Sequence, residues 1–188
     1  MIKLIVSDID GTLVKDGCHN INPRMFEVIE ALKKKGVLFA AASGRQLPSI
    51  RRLFAPVQDN VIFIAENGAY VVCRDTEMSV SPMERELVNA IVEDMRGLEG
   101  CFLTASGREA TYIETKDEKF WDFLVNGYHN TVKIVDDILK EDTEIIKLAL
   151  YNGAGIDRDA QWLIPRWTGK VKVVVAGAMW LDFMDKSV

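Results

Sequence analysis

The chain of 188 residues is 48% hydrophobic and 27% charged, and its 23 basic against 28 acidic side chains leave a formal net charge of −5. Such a length suits one large domain or two small ones, and such a composition excludes disordered, collagen-like and coiled-coil classes. The acidic balance supplies no field that would draw in nucleic acid or an anionic membrane, so neither is expected as a partner.

The longest apolar runs, such as residues 37–42, are far shorter than the ~20 residues that cross a bilayer. Asp8 and Asp10 also interrupt the apolar start too early for a signal peptide, so a cytoplasmic protein is expected. Cys18, Cys73 and Cys101 are odd in number, widely spaced and without a CxxC or Cys/His ligand pattern. They read as reduced thiols rather than a disulfide framework or a zinc site.

In chain order, Lys3-Leu4-Ile5-Val6-Ser7-Asp8 is an apolar, β-branched run of the kind that forms a buried strand, and it ends on two aspartates. A helix follows, with Asn22 as its cap, Pro23 in its first turn, Met25, Ile29 and Leu32 on one face, and Gly36 past its lysine-rich end. Residues 37–42 form a second apolar strand that ends in Ser43-Gly44-Arg45, and residues 48–54 a short helix. Residues 61–65 form a third strand, and Asn67-Gly68 reads as a two-residue hairpin before residues 69–73. Strand, helix, strand, helix in this order predicts right-handed crossovers and a parallel sheet.

From Ser81 the pattern changes. Ser81-Pro82-Met83-Glu84 reads as a capping box opening a helix with Leu87, Ile91 and Met95 on one face. Residues 101–106 and 110–115 read as a hairpin around Gly107-Arg108, followed by a helix over 117–128 and a strand over 131–135, with antiparallel pairing in place of the crossovers. Further strands are expected at 145–151, 171–176 and 179–184, with a helix over 157–167 that Pro165 should bend or shorten. The fold class is therefore α/β: a Rossmann-like parallel unit over 1–80, an inserted α+β unit over 81–182, and a return toward the first unit at 183–188. Trp121, Trp162, Trp167 and Trp180 are expected to pack in the second unit, and His19 and His129 to lie on the surface.

Asp8 and Asp10 stand at i and i+2, so in extended chain both carboxylates project to one side at the strand's C-terminal end, where open α/β sheets bind ligands. Two neighbouring carboxylates serve as nucleophile and general acid when a cation or a split in protonation relieves their repulsion. Asp-x-Asp-Gly is equally the composition of a plain turn.

The longer string Leu4-Ile5-Val6-Ser7-Asp8-Ile9-Asp10-Gly11-Thr12-Leu13 resembles the first motif of the haloacid dehalogenase superfamily. Ala42-Ser43-Gly44-Arg45 resembles its second motif, and Asn67-Gly68-Ala69 is similar to a segment of its Cof-type sugar phosphatases. The region from Ser81 onward looks like the cap domain of that branch. The resemblance implies a magnesium-dependent phosphatase of small phosphorylated metabolites such as sugar phosphates. Asp8 would be the nucleophile and a Mg2+ ligand. Asp10 would be the general acid and then base, with its backbone carbonyl on the metal. Ser43 and Gly44 would hold the phosphate, Arg45 would either join them on the phosphate or hold the loop through a salt bridge, and Thr12 would support the loop.

The superfamily pattern then calls for a lysine and a further acidic motif, and neither is visible before Val188. Lys186 comes too early for that lysine. The residues are thus expected to be part of a longer phosphatase, with the Leu4 to Val6 strand left as an exposed edge open to self-association. A phosphotransferase or phosphomutase of the same superfamily, and a non-catalytic module binding phosphate or a partner, remain the alternative readings.

Overall fold

The computed structural model describes residues 1–14 and 20–188. Cys18 and His19 therefore lie outside the described residues. The chain divides into two compact units, Met1–Val80 and Ser81–Val188.

The first unit is a five-stranded sheet in the order β1-β2-β3-β4-β5, made of β1 (Leu4–Asp8), β2 (Leu38–Ala42), β3 (Val61–Ala65), β4 (Tyr70–Cys73) and β5 (Thr76–Val80). β1, β2 and β3 run parallel, in register Leu4 with Leu38 and Phe39 with Val61, as the alternation of strands and helices requires. Helix α1 (Arg24–Lys34) starts where Asn22 Oδ1 accepts the Arg24 N–H at 3.0 Å and ends at Gly36, whose φ of 69° closes the last turn. With α2 (Leu47–Leu53) it buries Ile29, Ile50 and Leu53 against Phe39, Ala41 and Phe63 of the sheet. Leu4, Val6 and Leu38, which alternate with the core-facing residues, stay about half exposed at 48%, 52% and 59%.

Two local expectations change here. Ala65 pairs with Tyr70, so the β3–β4 connection holds residues 66–69 rather than two residues, with Glu66, Asn67 and Gly68 at φ 50°, 58° and 104°. β5, unpredicted, is exposed along nearly its whole length and shows no apolar alternation to read; its place is set by pairing with β4 across a bulge.

The second unit holds a six-stranded sheet in the order β10-β11-β9-β6-β7-β8, from β6 (Cys101–Ser106), β7 (Thr111–Ile113), β8 (Val132–Ile134), β9 (Lys147–Asn152), β10 (Lys172–Val175) and β11 (Trp180–Met184). Helices α3 (Arg85–Met95) and α5 (Asp157–Trp167) bury Val88, Ile91, Val92, Leu163 and Trp167 with Leu148, Leu150, Leu181 and Phe183 of the sheet. A second cluster gathers Phe120, Phe123 and Leu124 from α4 (Glu118–Asp122) and the π-turn after it with Phe102, Tyr151 and Trp180.

Four corrections follow. The capping box does not form: α3 begins only at Arg85, because the Met83 N–H donates to the Ile145 carbonyl at 2.8 Å and residues 81–84 stay outside the helix. β8 pairs parallel to β7, since α4 and its π-turn carry the chain back in the same direction. Phe183 and Met184 do not leave this unit; both are fully buried, in a strand paired with β9 and β10. Trp121 and Trp162 are exposed, at 38% and 41%, whereas Trp167 is buried and Trp180 joins the aromatic cluster. Pro165 sits in the last turn of α5, and the helix still reaches Trp167.

Candidate functional site

The sequence-predicted residues of the first unit meet at the C-terminal ends of β1 and β2. Asp8 is the last residue of β1 and is exposed; Ile9 is fully buried; Asp10 is exposed again. That alternation keeps both carboxylates on the side opposite the Ile9 side chain. The chain then closes tightly, with the Ile9 carbonyl accepting N–H bonds from Thr12, Leu13 and Val14 and the Gly11 N–H reaching the Val14 carbonyl at 2.9 Å. Gly11 at φ 76° supplies the left-handed residue this turn needs. The Thr12 hydroxyl donates to Asp8 Oδ2 at 3.2 Å, so Thr12 touches the Asp8 carboxylate itself as well as shaping the loop.

Asp10 is held from the second strand. The Ser43 hydroxyl donates to Asp10 Oδ2 at 3.1 Å, and Arg45 reaches the same carboxylate through Nε, at 3.1 Å from both oxygens, and through Nη2, at 2.6 Å from Oδ1. Of the two expectations for Arg45, the phosphate or a salt bridge, the structure shows an ion pair, with the Arg45 side chain 12% exposed against 52% for Asp10.

The loop carrying Ser43, Gly44 and Arg45 is itself fixed by the end of β3. The Ser43 N–H donates to the Ile64 carbonyl, the Asn67 N–H to the Ser43 carbonyl and the Glu66 N–H to the Arg45 carbonyl, at 3.0 to 3.1 Å. Glu66, 1% exposed, and Asn67 both take positive φ to make those bonds. The Asn-Gly pair hints at the turn; nothing in the sequence marks Glu66 as part of the support.

Oxygen donors at adjoining positions on an exposed strand end suit Mg2+, which keeps several waters and takes one or two protein ligands together with substrate phosphate. Asp8 offers its carboxylate and Asp10 its carbonyl. The Asp10 carboxylate is already engaged by Ser43 and Arg45. Among the described residues no group of three or more His, Cys, Asp or Glu side chains is placed to hold a metal ion.

Fold and site together define an α/β protein with paired aspartates at the carboxyl end of its first parallel strand and a Ser-Gly-Arg loop beside them. The chain belongs to the haloacid dehalogenase-like hydrolase family, whose pattern it matches over residues 5–188. It is 25% identical over 135 residues to the 5-amino-6-(5-phospho-D-ribitylamino)uracil phosphatase YbjI of Escherichia coli, covering 72% of this chain and 50% of that protein. A crystal structure from Eubacterium rectale, 32% identical, superposes with a TM-score of 0.87 over all of this chain and 72% of the other. A sugar phosphatase of subclass IIB, 20% identical, shares the fold with a TM-score of 0.78 over 98% of this chain and 70% of the other. The chain spans about half the length of the curated relatives it matches. Among the described residues no helix is long and apolar enough to cross a membrane.

Proposed function

We propose that the protein carrying this chain is a magnesium-dependent phosphomonoester hydrolase of a small phosphorylated metabolite, with sugar phosphates as the favoured class. The observation that carries the reading is the pair of aspartates two residues apart, one exposed at the strand end and the other gripped by Ser43 and Arg45. The names of the Escherichia coli relative and the subclass IIB sugar phosphatase support the substrate class. A cytoplasmic location goes with it, where such metabolites are made and consumed.

Asp8 attacks phosphorus with a carboxylate oxygen, forming an aspartyl-phosphate as the bond to the leaving oxygen breaks. Asp10 gives that oxygen its proton, then takes one from the water that attacks the aspartyl-phosphate, and inorganic phosphate leaves with Asp8 restored. Thr12 orients the Asp8 carboxylate. Ser43, whose hydroxyl lies on Asp10, and the Gly44 N–H next to it in the chain would meet the oxygens of the transferring group. The Asp8 carboxylate and the Asp10 carbonyl would hold Mg2+, which when bound would supply charge screening between the nucleophile and an anionic ester.

The test is hydrolysis of p-nitrophenyl phosphate by the product of the complete gene, with and without Mg2+, beside Asp8→Asn. Removing the nucleophile should lower kcat by at least about a thousandfold, and chelation should abolish turnover. Hydrolysis undiminished by both overturns the mechanism, and phosphate delivered to an added sugar instead of water identifies a phosphotransferase.

A further inference from the structure

Arg45 contributes two separate groups to one closed ring of contacts. Its backbone N–H donates to Ser43 Oγ at 3.1 Å, the Ser43 hydroxyl donates to Asp10 Oδ2 at 3.1 Å, and the Asp10 carboxylate accepts the Arg45 guanidinium through Nε and Nη2. Two points on a planar guanidinium fix the plane of a carboxylate, which a single ammonium cannot do. The Arg45 side chain is nearly covered, whereas half of Asp10 faces solvent. Turning the guanidinium to a substrate phosphate would break three contacts and leave Asp10 held by Ser43 alone. The main chain beneath the ring cannot easily follow such a turn, because the Arg45 carbonyl is held by the Glu66 N–H and the Ser43 carbonyl by the Asn67 N–H.

We infer that Arg45 is a positioning residue for Asp10 and not a phosphate ligand: it sets the plane of the carboxylate that exchanges a proton with the leaving oxygen. This rests on the phosphatase reading and makes that reading more specific. The consequence is selective. An ester whose leaving group departs readily as an anion, such as p-nitrophenolate, gains little from a well-aimed proton donor. An alkyl ester such as glycerol phosphate cannot expel its alkoxide without one.

The experiment measures kcat and KM for both esters, and the inhibition constant of inorganic phosphate, in the full-length protein and in its Arg45→Ala and Arg45→Lys variants. Arg45→Lys keeps the positive charge in case Arg45→Ala does not fold. Both variants should lose on the order of 100-fold in kcat/KM toward the alkyl ester and roughly tenfold less toward p-nitrophenyl phosphate. The inhibition constant of phosphate should stay within about twofold. A phosphate constant weakened by about tenfold or more with kcat retained makes Arg45 a phosphate ligand and overturns the inference. Equal losses in kcat/KM for the two esters overturn it as well, since kcat/KM reports the step in which the leaving group departs and a purely structural role has no reason to sense that group. A wild-type protein that hydrolyses neither ester overturns the phosphatase reading itself, and this role with it.

Discussion

A Cβ on Gly44 would lie 2.6 Å from Asn67 Oδ1, so the Asn67 carboxamide fills the space that any other residue at position 44 would claim. The two are tied again through the backbone, where the Asn67 N–H donates to the Ser43 carbonyl at 3.1 Å. Gly44→Ala must displace that side chain, and should lower stability by about 1–3 kcal/mol. Asn67→Gly removes the obstacle and suits the φ of 58° at that position. The double variant should therefore be more stable than the sum of the single changes by about 0.5–3 kcal/mol. Urea denaturation of the four proteins measures the coupling; strict additivity would show that the contact carries no energy.

In the second unit, Cys101 Sγ donates to Asp159 Oδ2 at 3.4 Å, and Asn152 Nδ2 reaches the same carboxylate oxygen at 2.9 Å. Burial first, and then the hydrogen bond and negative charge of Asp159, push the Cys101 thiol up to about 11. Thiolate is the reacting species, so alkylation by iodoacetamide at pH 8 should run on the order of 100-fold slower at Cys101 than at a free cysteine. Asp159→Asn removes the charge and should move the pH–rate curve toward lower pH. Peptide mass spectrometry between pH 7 and 11 follows both rates. A Cys101 that reacts like a free thiol contradicts the arrangement.

What was legible in the sequence is what neighbours in sequence decide. The parallel strands, the limits of α1 and the aspartates at the end of β1 are written in runs of apolar residues and in Asn22, Pro23 and Gly36. What was not legible depends on partners far along the chain. The capping pattern of residues 81–84 is overruled by Ile145, 62 residues after Met83, and β5 exists because β4 lies beside it. The site divides in the same way: Asp8, Asp10 and the Ser-Gly-Arg loop stand out as motifs, but the partner of Arg45 is Asp10, 35 residues away, and no pattern states it. Trp121 and Trp162 fail for a related reason, since an aromatic residue on a short or amphipathic helix does not itself tell which face finds a neighbour.

Arg96, just past the end of α3, joins three acidic side chains: Nη2 lies 2.5 Å from Glu114 Oε1 and 2.5 Å from Asp137 Oδ1, and Nη1 lies 2.6 Å from Glu93 Oε1. The carboxylates in turn accept the Ile138 and Leu139 N–H groups, so the cluster fastens the segment after β8 to the end of α3. The hydrogen bond from Arg96, followed by that from the Leu139 amide, holds the Asp137 carboxyl below the usual carboxylate range. A depressed folded-state value gives stability that is complete above the unfolded value of ~3.9 and lost as the pH falls through the folded one. Arg96→Met should therefore lower the denaturation midpoint clearly at pH 7, and the gap to wild type should narrow below about pH 4 as the carboxylates protonate in both proteins. A gap that does not change between pH 7 and pH 3 would show that Arg96 acts through the packing of its side-chain stem.

β1 is the outermost strand of the first unit's sheet, and its Leu4 and Val6 are about half exposed, at 48% and 52%, beside Leu38 of β2 at 59%. A parallel sheet ordinarily has both faces covered, and an outer strand offers a row of backbone donors and acceptors to any chain that can pair with it. Between Leu4 and Asp8 the strand carries no lysine or proline, the residues that blunt such an edge. We propose that the 188-residue chain self-associates through β1, two copies pairing along this edge. Val6→Lys puts a charge on the exposed face while leaving Ile5, which packs on the core, in place. In sedimentation velocity over a range of concentrations, wild type should shift to larger species as concentration rises and Val6→Lys should remain monomeric, with the two melting at similar temperatures. A wild-type chain that stays monomeric throughout, or a Val6→Lys variant that associates equally well, would remove β1 as the contact.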